Sequence, residues 1–179
     1  MIRKKSNLTR IFLADAQVSL SERYLPRIVA CLRMIPEKEI WWRPNRASNS
    51  IGNLVLHLSG NVRQWIVSGL GGGPDRRHRE REFSERGPIP RPALVGLLNG
   101  TVAEACLVLQ RLQPADLSRQ YRIQGFRVTG MVAISHVMEH FGYHTGQIIF
   151  LTKMKCAKDL GFTQLPGEKR KKKAIGRTP

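Results

Sequence analysis

Apolar residues recur along this chain at the three- and four-residue intervals of an amphipathic helix, with no sustained alternation of the kind a half-buried strand shows. Over residues 8–34 the pattern runs through Leu8, Ile11, Phe12, Val18, Leu25, Ile28, Val29 and Leu32. Pro26 falls inside that stretch and predicts either a kink or two consecutive helices. Pro36 and the segment through Pro44 interrupt it. Asn49 and Ser50 are good N-caps for a second helix to about Val67, with Ile51, Leu54, Val55, Leu58, Val62, Trp65 and Ile66 on its apolar positions. Gly69 and the run Gly71-Gly72-Gly73-Pro74 end it.

Residues 70–89 read as a loop rich in Gly, Pro, Arg and Glu. A third helix starts near Pro92, a residue suited to the first turn, and continues to about Leu112. Residues 121–128 suit a short extended turn. A fourth helix then runs from about Thr129 to Lys155. Four amphipathic helices in one small domain predict an all-α four-helix bundle, and the long loop between the second and third helices frees its connectivity from simple up-down-up-down order.

The chain has 179 residues, enough for one domain with a real core, and 41% of them are hydrophobic. Charge changes the picture. Lys and Arg number 30 against 13 acidic residues, a formal charge of +17. About half of the excess sits at the ends, so the chain divides into a basic N-terminal tail (1–10), a bundle domain (11–166) and a basic C-terminal tail (167–179). The run Glu168-Lys169-Arg170-Lys171-Lys172-Lys173 repels itself and predicts disorder. The basic body attracts anions, and the tails suit phosphates, but no helix-turn-helix, finger or aromatic-basic pattern favours nucleic acid as the ligand.

Uninterrupted apolar runs such as Ile148-Ile149-Phe150-Leu151 are too short to span a membrane, and Asp15 breaks the nearest thing to a secretory segment. Cys31, Cys106 and Cys156 are scattered and odd in number, which fits a reducing cytoplasm better than a disulfide framework.

The histidines are more informative. His136, His140 and His144 follow at four-residue spacing on the fourth helix. Four residues advance about 400°, so the three rings share one face. Two imidazoles so spaced can chelate one metal ion, and a third from a facing helix would leave an open coordination position. His57 is the only other histidine on an apolar helix face; His78 lies in the charged loop. Residue chemistry alone also allows four hydrogen-bonded core histidines, although burying them is costly without partners. The position after His140 is Phe141, so the His-Glu-x-x-His pattern of metallopeptidases, and its general base, is absent.

Two segments carry a resemblance. Ser50-Ile-Gly-Asn-Leu-Val-Leu-His57-Leu-Ser-Gly-Asn61 resembles the second helix of the DinB-like superfamily. His136-Val-Met-Glu-His140-Phe-Gly-Tyr-His144-Thr-Gly-Gln147 resembles its C-terminal His-x-x-x-His helix. Trp41-Trp42-Arg43-Pro44 and the region of Arg81-Glu82-Phe83 resemble a bacterial branch without an assigned activity. The resemblance covers about residues 20–162.

The resemblance implies an up-down-down-up bundle, commonly dimeric, with a divalent metal (zinc or nickel) on His57, His140 and His144. It also implies kinship with S-transferases and an isomerase that use low-molecular-weight thiols such as bacillithiol or mycothiol. His136 stays open between a fourth ligand, a ligand-orienting group and a buried helix histidine. Asn61, which shares the His57 face, and Tyr143 and Gln147 are further candidates to face a ligand or support the site, with purely structural roles as the alternative.

Overall fold

The structure, a computed structural model, describes residues 2–163. The first long helix comprises α1 (Ile2–Val18), a π-helical stretch Ser19–Tyr24, and α2 (Leu25–Met34). Pro26 explains the irregularity. It cannot donate a backbone hydrogen bond and its ring crowds the preceding turn. The helix widens before it, and the Leu25 N–H bonds the Leu20 carbonyl five residues back. The path is thus one helix with a wide turn. Residues 2–10, set apart above as a basic tail, belong to α1. The basic C-terminal tail, 167–179, lies outside the described residues.

The second long helix is α3 (Ile51–Val62), extended by π-helical Arg63–Leu70. Ser50 caps it reciprocally with Asn53: the Asn53 N–H donates to Ser50 Oγ (3.1 Å) and the Ser50 N–H to Asn53 Oδ1 (3.2 Å). Such a cap contributes about 1 kcal/mol. The expected loop at 70–89 contains a helix, α4 (Arg79–Ser84), too short and polar to show periodicity. The third long helix is α5 (Arg91–Arg111), followed by the short α6 (Pro114–Ser118). The extended turn is an antiparallel hairpin of β1 (Gln120–Ile123) and β2 (Phe126–Thr129), with Gln120 opposite Thr129. Thr129 caps the fourth long helix, α7 (Gly130–Cys156), by accepting from the Val132 N–H.

Contacts along the helices fix their directions. The first helix runs parallel to α7, with Tyr24 beside Phe141 and Cys156 bonded to the Met34 carbonyl. It runs antiparallel to α5, whose Arg91 reaches the Ile35 carbonyl while Leu109 lies near Leu13. The α3 helix runs antiparallel to α7 and parallel to α5: His57 meets His140, Trp65 meets His136, and Arg63 pairs with Glu104. The order is up-down-down-up, as the resemblance implied. The crossover over residues 71–90 returns the chain to the end of the bundle where α3 began.

The core is continuous across all four long helices and includes Leu20, Ile28, Leu32, Leu54, Leu58, Ile66, Leu94, Leu98 and Phe141, all at most 2% exposed. Gly142 lets α7 approach the first helix, because a Cβ there would stand 3.0 Å from the Tyr24 hydroxyl. Among the described residues, α5 is the one helix long and apolar enough by length and composition to cross a membrane. Here its Leu94, Leu98, Val102, Ala105 and Leu109 are buried in the bundle core.

Candidate metal centre

His57 projects from α3, and His140 and His144 from successive turns of α7, into the space between these antiparallel helices. Each offers a ring nitrogen within 4.8 Å of the other two. His57 and His144 are buried, at 4% and 8% exposure, and His140 is half-buried. His57 Nε2 and His140 Nε2 are 2.8 Å apart, and the His144 ring stands edge-on to both others.

The hydrogen bonds on the far sides of the rings assign their protons. His57 Nδ1 lies 2.9 Å from Glu82 Oε2, a carboxylate oxygen that only accepts, and 3.2 Å from Arg77 Nη2, which only donates; the shorter contact, to the carboxylate, puts the proton on Nδ1 and leaves Nε2 a bare lone pair. His144 Nδ1 lies 2.7 Å from Gln147 Oε1, which likewise accepts. Its Nε2 is therefore also bare. Two neutral imidazoles thus aim lone pairs at a common volume with His140 beside them.

Burial and the neighbouring His144, His57, His136 and Arg77 push the His140 pKa down to about 3. Burial also lowers those of His144 and His136. Neutral rings are the form that binds metal.

Glu82 comes from α4. Burial opposes its ionisation, but hydrogen bonds and charge from Arg77 and His57 outweigh that and hold its carboxyl below the usual range. Arg77 grips it through Nε to Oε1 (2.7 Å) and Nη2 to Oε2 (2.8 Å). Phe83 packs on the His57 ring with centroids 4.6 Å apart, and the Arg79 guanidinium lies over Phe83.

The other expected residues separate. His136 stacks on the His140 ring with centroids 5.4 Å apart but is not one of the three converging histidines. Its ring packs 4.1 Å from Trp65, and its Nε2 is 3.4 Å from the Asn61 amide nitrogen. Asn61 is buried and its Oδ1 has no partner. Gln147 supports His144 directly. Tyr143 stands edge-on to His144 but is 65% exposed. Tyr143 and Gln147 line a groove of about 690 Å³ between α7 and the segment before α3, with Leu54, Phe150, Leu151 and Met154 among its walls.

Glu82 and Arg77 were not legible as site residues in the sequence. The only signal was the Arg81-Glu82-Phe83 segment that resembles a bacterial branch, and it carried no role. The carboxylate that meets His57 comes from the crossover rather than from a position beside His140 and His144 on α7.

The residues fit a divalent cation. The bare His57 Nε2 faces His140 Nε2 at 2.8 Å, a distance that needs either the His140 proton or a cation between them, and three neutral imidazoles are a donor set that zinc and related ions accept. The buried, unpartnered Asn61 Oδ1, one turn along from His57, adds an acceptor on the same helix face.

The fold and the three-histidine cluster define a metal-competent four-helix bundle, and comparison with known structures agrees on the fold. The chain is similar to a conserved protein of Enterococcus faecalis, at 16% identity and TM-score 0.65 over 86% of this chain and 98% of that one. It is similar to a DinB-like protein of Bacillus cereus (14%, TM-score 0.58, 74% and 85% covered). A DinB-like protein of Bacillus subtilis is also similar (20%, TM-score 0.58, 84% and 94% covered). No curated protein matches the sequence. The chain belongs to the family described as Protein of unknown function (DUF1572), which matches residues 8–169.

Proposed function

We propose that this protein is a metal-dependent thiol S-transferase, or a related isomerase or hydrolase, in which His57, His140 and His144 hold zinc or nickel. The observation that carries the reading is the convergence of two imidazoles whose protons are tied to Glu82 and Gln147, with a third beside them. A divalent ion on three neutral imidazoles keeps its full charge and an open position, and lowers the pKa of a water or thiol bound there.

The chain's own residues supply the rest. Glu82 and Gln147 orient two of the ligands. Asn61 offers a buried acceptor that can hold the proton of a water or thiol beside the cluster. The exposed Arg76, Arg79 and Arg81 on and next to α4 favour an anionic cosubstrate, as a small thiol bearing a carboxylate would be. The thiol chemistry rests on the superfamily resemblance; the geometry supports the metal.

The test is the metal content of protein purified without chelator or a histidine tag. About one ion per chain is expected in the wild type, lost in His57→Ala, His140→Ala and His144→Ala. Thiol-transfer assays with low-molecular-weight thiols and reactive electrophiles follow. A wild type that neither carries metal nor takes up zinc or nickel overturns the reading. Metal without turnover of any thiol leaves a metal-containing bundle without the proposed chemistry.

A further inference from the structure

The crossover between α3 and α5 is held by one stripe of side chains. Asn53, His57, Gly60 and Gln64 lie at intervals of four, three and four residues, so they share a face of the second long helix. Each meets the segment 75–85. The Asn53 amide donates to the carbonyls of Glu82 and Glu85, both at 2.9 Å. His57 meets the Glu82 carboxylate. Gly60 leaves the room that this carboxylate and Arg77 occupy, because a Cβ there would overlap Glu82 Oε1. Gln64 accepts from Arg77 Nη1 (2.9 Å) and donates to Asp75 Oδ2 (2.8 Å), while Asp75 also accepts from the Arg77 backbone N–H.

The Arg77 and Glu82 side chains are only 5% and 10% exposed. A buried pair of this kind is an inefficient way to stabilise a fold, since apolar side chains of similar volume do as well. Its value lies in what the geometry imposes on His57. Both carboxylate oxygens are engaged by Arg77, and the one nearer the imidazole, at 2.9 Å, is placed to accept from Nδ1, while Arg77 Nη2 stands farther from that nitrogen at 3.2 Å.

We infer that Glu82 and Arg77 are positioning residues for the metal centre: the docked crossover holds the His57 proton on Nδ1, aims Nε2 at the ion, and is itself tightened when the ion binds. The inference rests on the metal reading above and adds a coupling between the site and a segment that supplies no ligand. Reciprocity follows from linkage: whatever docking adds to metal affinity, metal adds to docking.

The experiment uses full-length, chelator-stripped protein as wild type, Glu82→Gln, and the double variant E82L/R77M, with zinc alone as the probe. The double variant removes both charges together, so neither is left buried and unpaired. Three readouts apply. Nitrogen NMR of the metal-free wild type should show His57 protonated on Nδ1, and E82L/R77M should show both tautomers. Zinc affinity should fall about 10- to 100-fold in E82L/R77M, with Glu82→Gln between it and the wild type. Amide exchange over residues 76–86 should slow several-fold on adding zinc to the wild type and stay unchanged in the double variant.

A wild-type His57 protonated on Nε2 overturns the inference, as does a double variant that binds zinc within about twofold of wild type, or exchange in the wild-type crossover that ignores zinc. The tautomer and exchange measurements on wild type need no variant to fold. A wild type that binds no zinc defeats the metal reading, and the tautomer of the metal-free protein still decides whether Glu82 positions His57.

Discussion

Gly60 and Glu82 are fitted to one another: the hydrogen of the glycine faces the carboxylate, and any larger side chain at position 60 would occupy the volume of Glu82 Oε1. Helix propensity alone favours Gly60→Ala by about 1 kcal/mol. The structure predicts the opposite sign. The added methyl displaces a buried carboxylate from Arg77 and His57, and such overpacking costs about 1–3 kcal/mol. Thermal melting of Gly60→Ala should show a lower midpoint than wild type, and zinc binding should weaken in parallel. An unchanged or raised midpoint would show that Glu82 is not seated against this helix.

Gln147 acts on His144 from the side away from the cluster. In Gln147→Leu the acceptor for His144 Nδ1–H is gone while the apolar groove wall is kept. Zinc affinity should drop about 10- to 100-fold. The melting midpoint of the metal-free protein should change little, since Gln147 is only half-buried. Isothermal titration with zinc and melting in chelator separate the two effects, and Gln147→Glu, which keeps an acceptor, should restore most of the affinity.

Acid should unfold the metal-free protein through the same histidines. Burial and its neighbours depress the His140 pKa to about 3 in the folded chain, against about 6.5 when unfolded. Between those values the unfolded state binds a proton that the folded state does not. Stability from the neutral ring is therefore fully present above pH of about 6.5 and is lost as pH falls toward 3. Lowered His144 and His136 values act in the same direction. Denaturant unfolding from pH 7 to pH 4 should show a falling midpoint, with a shallower fall in His140→Gln.

Metal should stabilise the fold by mass action. An ion bound only by the native state raises stability by about 2.7 kcal/mol at a free concentration 100 times its dissociation constant. Adding zinc should raise the melting midpoint of the wild type by several degrees and leave His57→Ala unmoved. Equal shifts in both would place the binding elsewhere, for example on His78 in the exposed crossover.

The fully buried Phe141 lies between His140 and His144 in sequence and faces away from them, toward Tyr24. Phe141→Ala should cost about 3–5 kcal/mol, and a denaturant series measures it. A much smaller loss would mean that α7 is not packed on the first helix through this ring.

Much of this protein was legible in its one-dimensional pattern because helices are local. A period of 3.6 placed the four long helices, Ser50 as a candidate cap marked the start of one and Thr129 the approximate start of another, and four-residue spacing put His140 and His144 on one face. His57 could be matched to them because few apolar helix faces carry a histidine. The π-helical turn before Pro26 was foreshadowed as an irregularity, although its form depended on packing.

Tertiary structure decided what no spacing encodes. Glu82 stands 25 positions after His57 in a charged crossover without apolar period, and the two meet only because Asn53, Gly60 and Gln64 dock that segment onto α3. His136 obeys the same spacing as the other histidines, yet it packs on Trp65 and Asn61. Periodicity says which face of a helix a side chain occupies; which neighbour that face finds, and which ring nitrogen keeps its proton, is settled by the approach of segments distant in sequence.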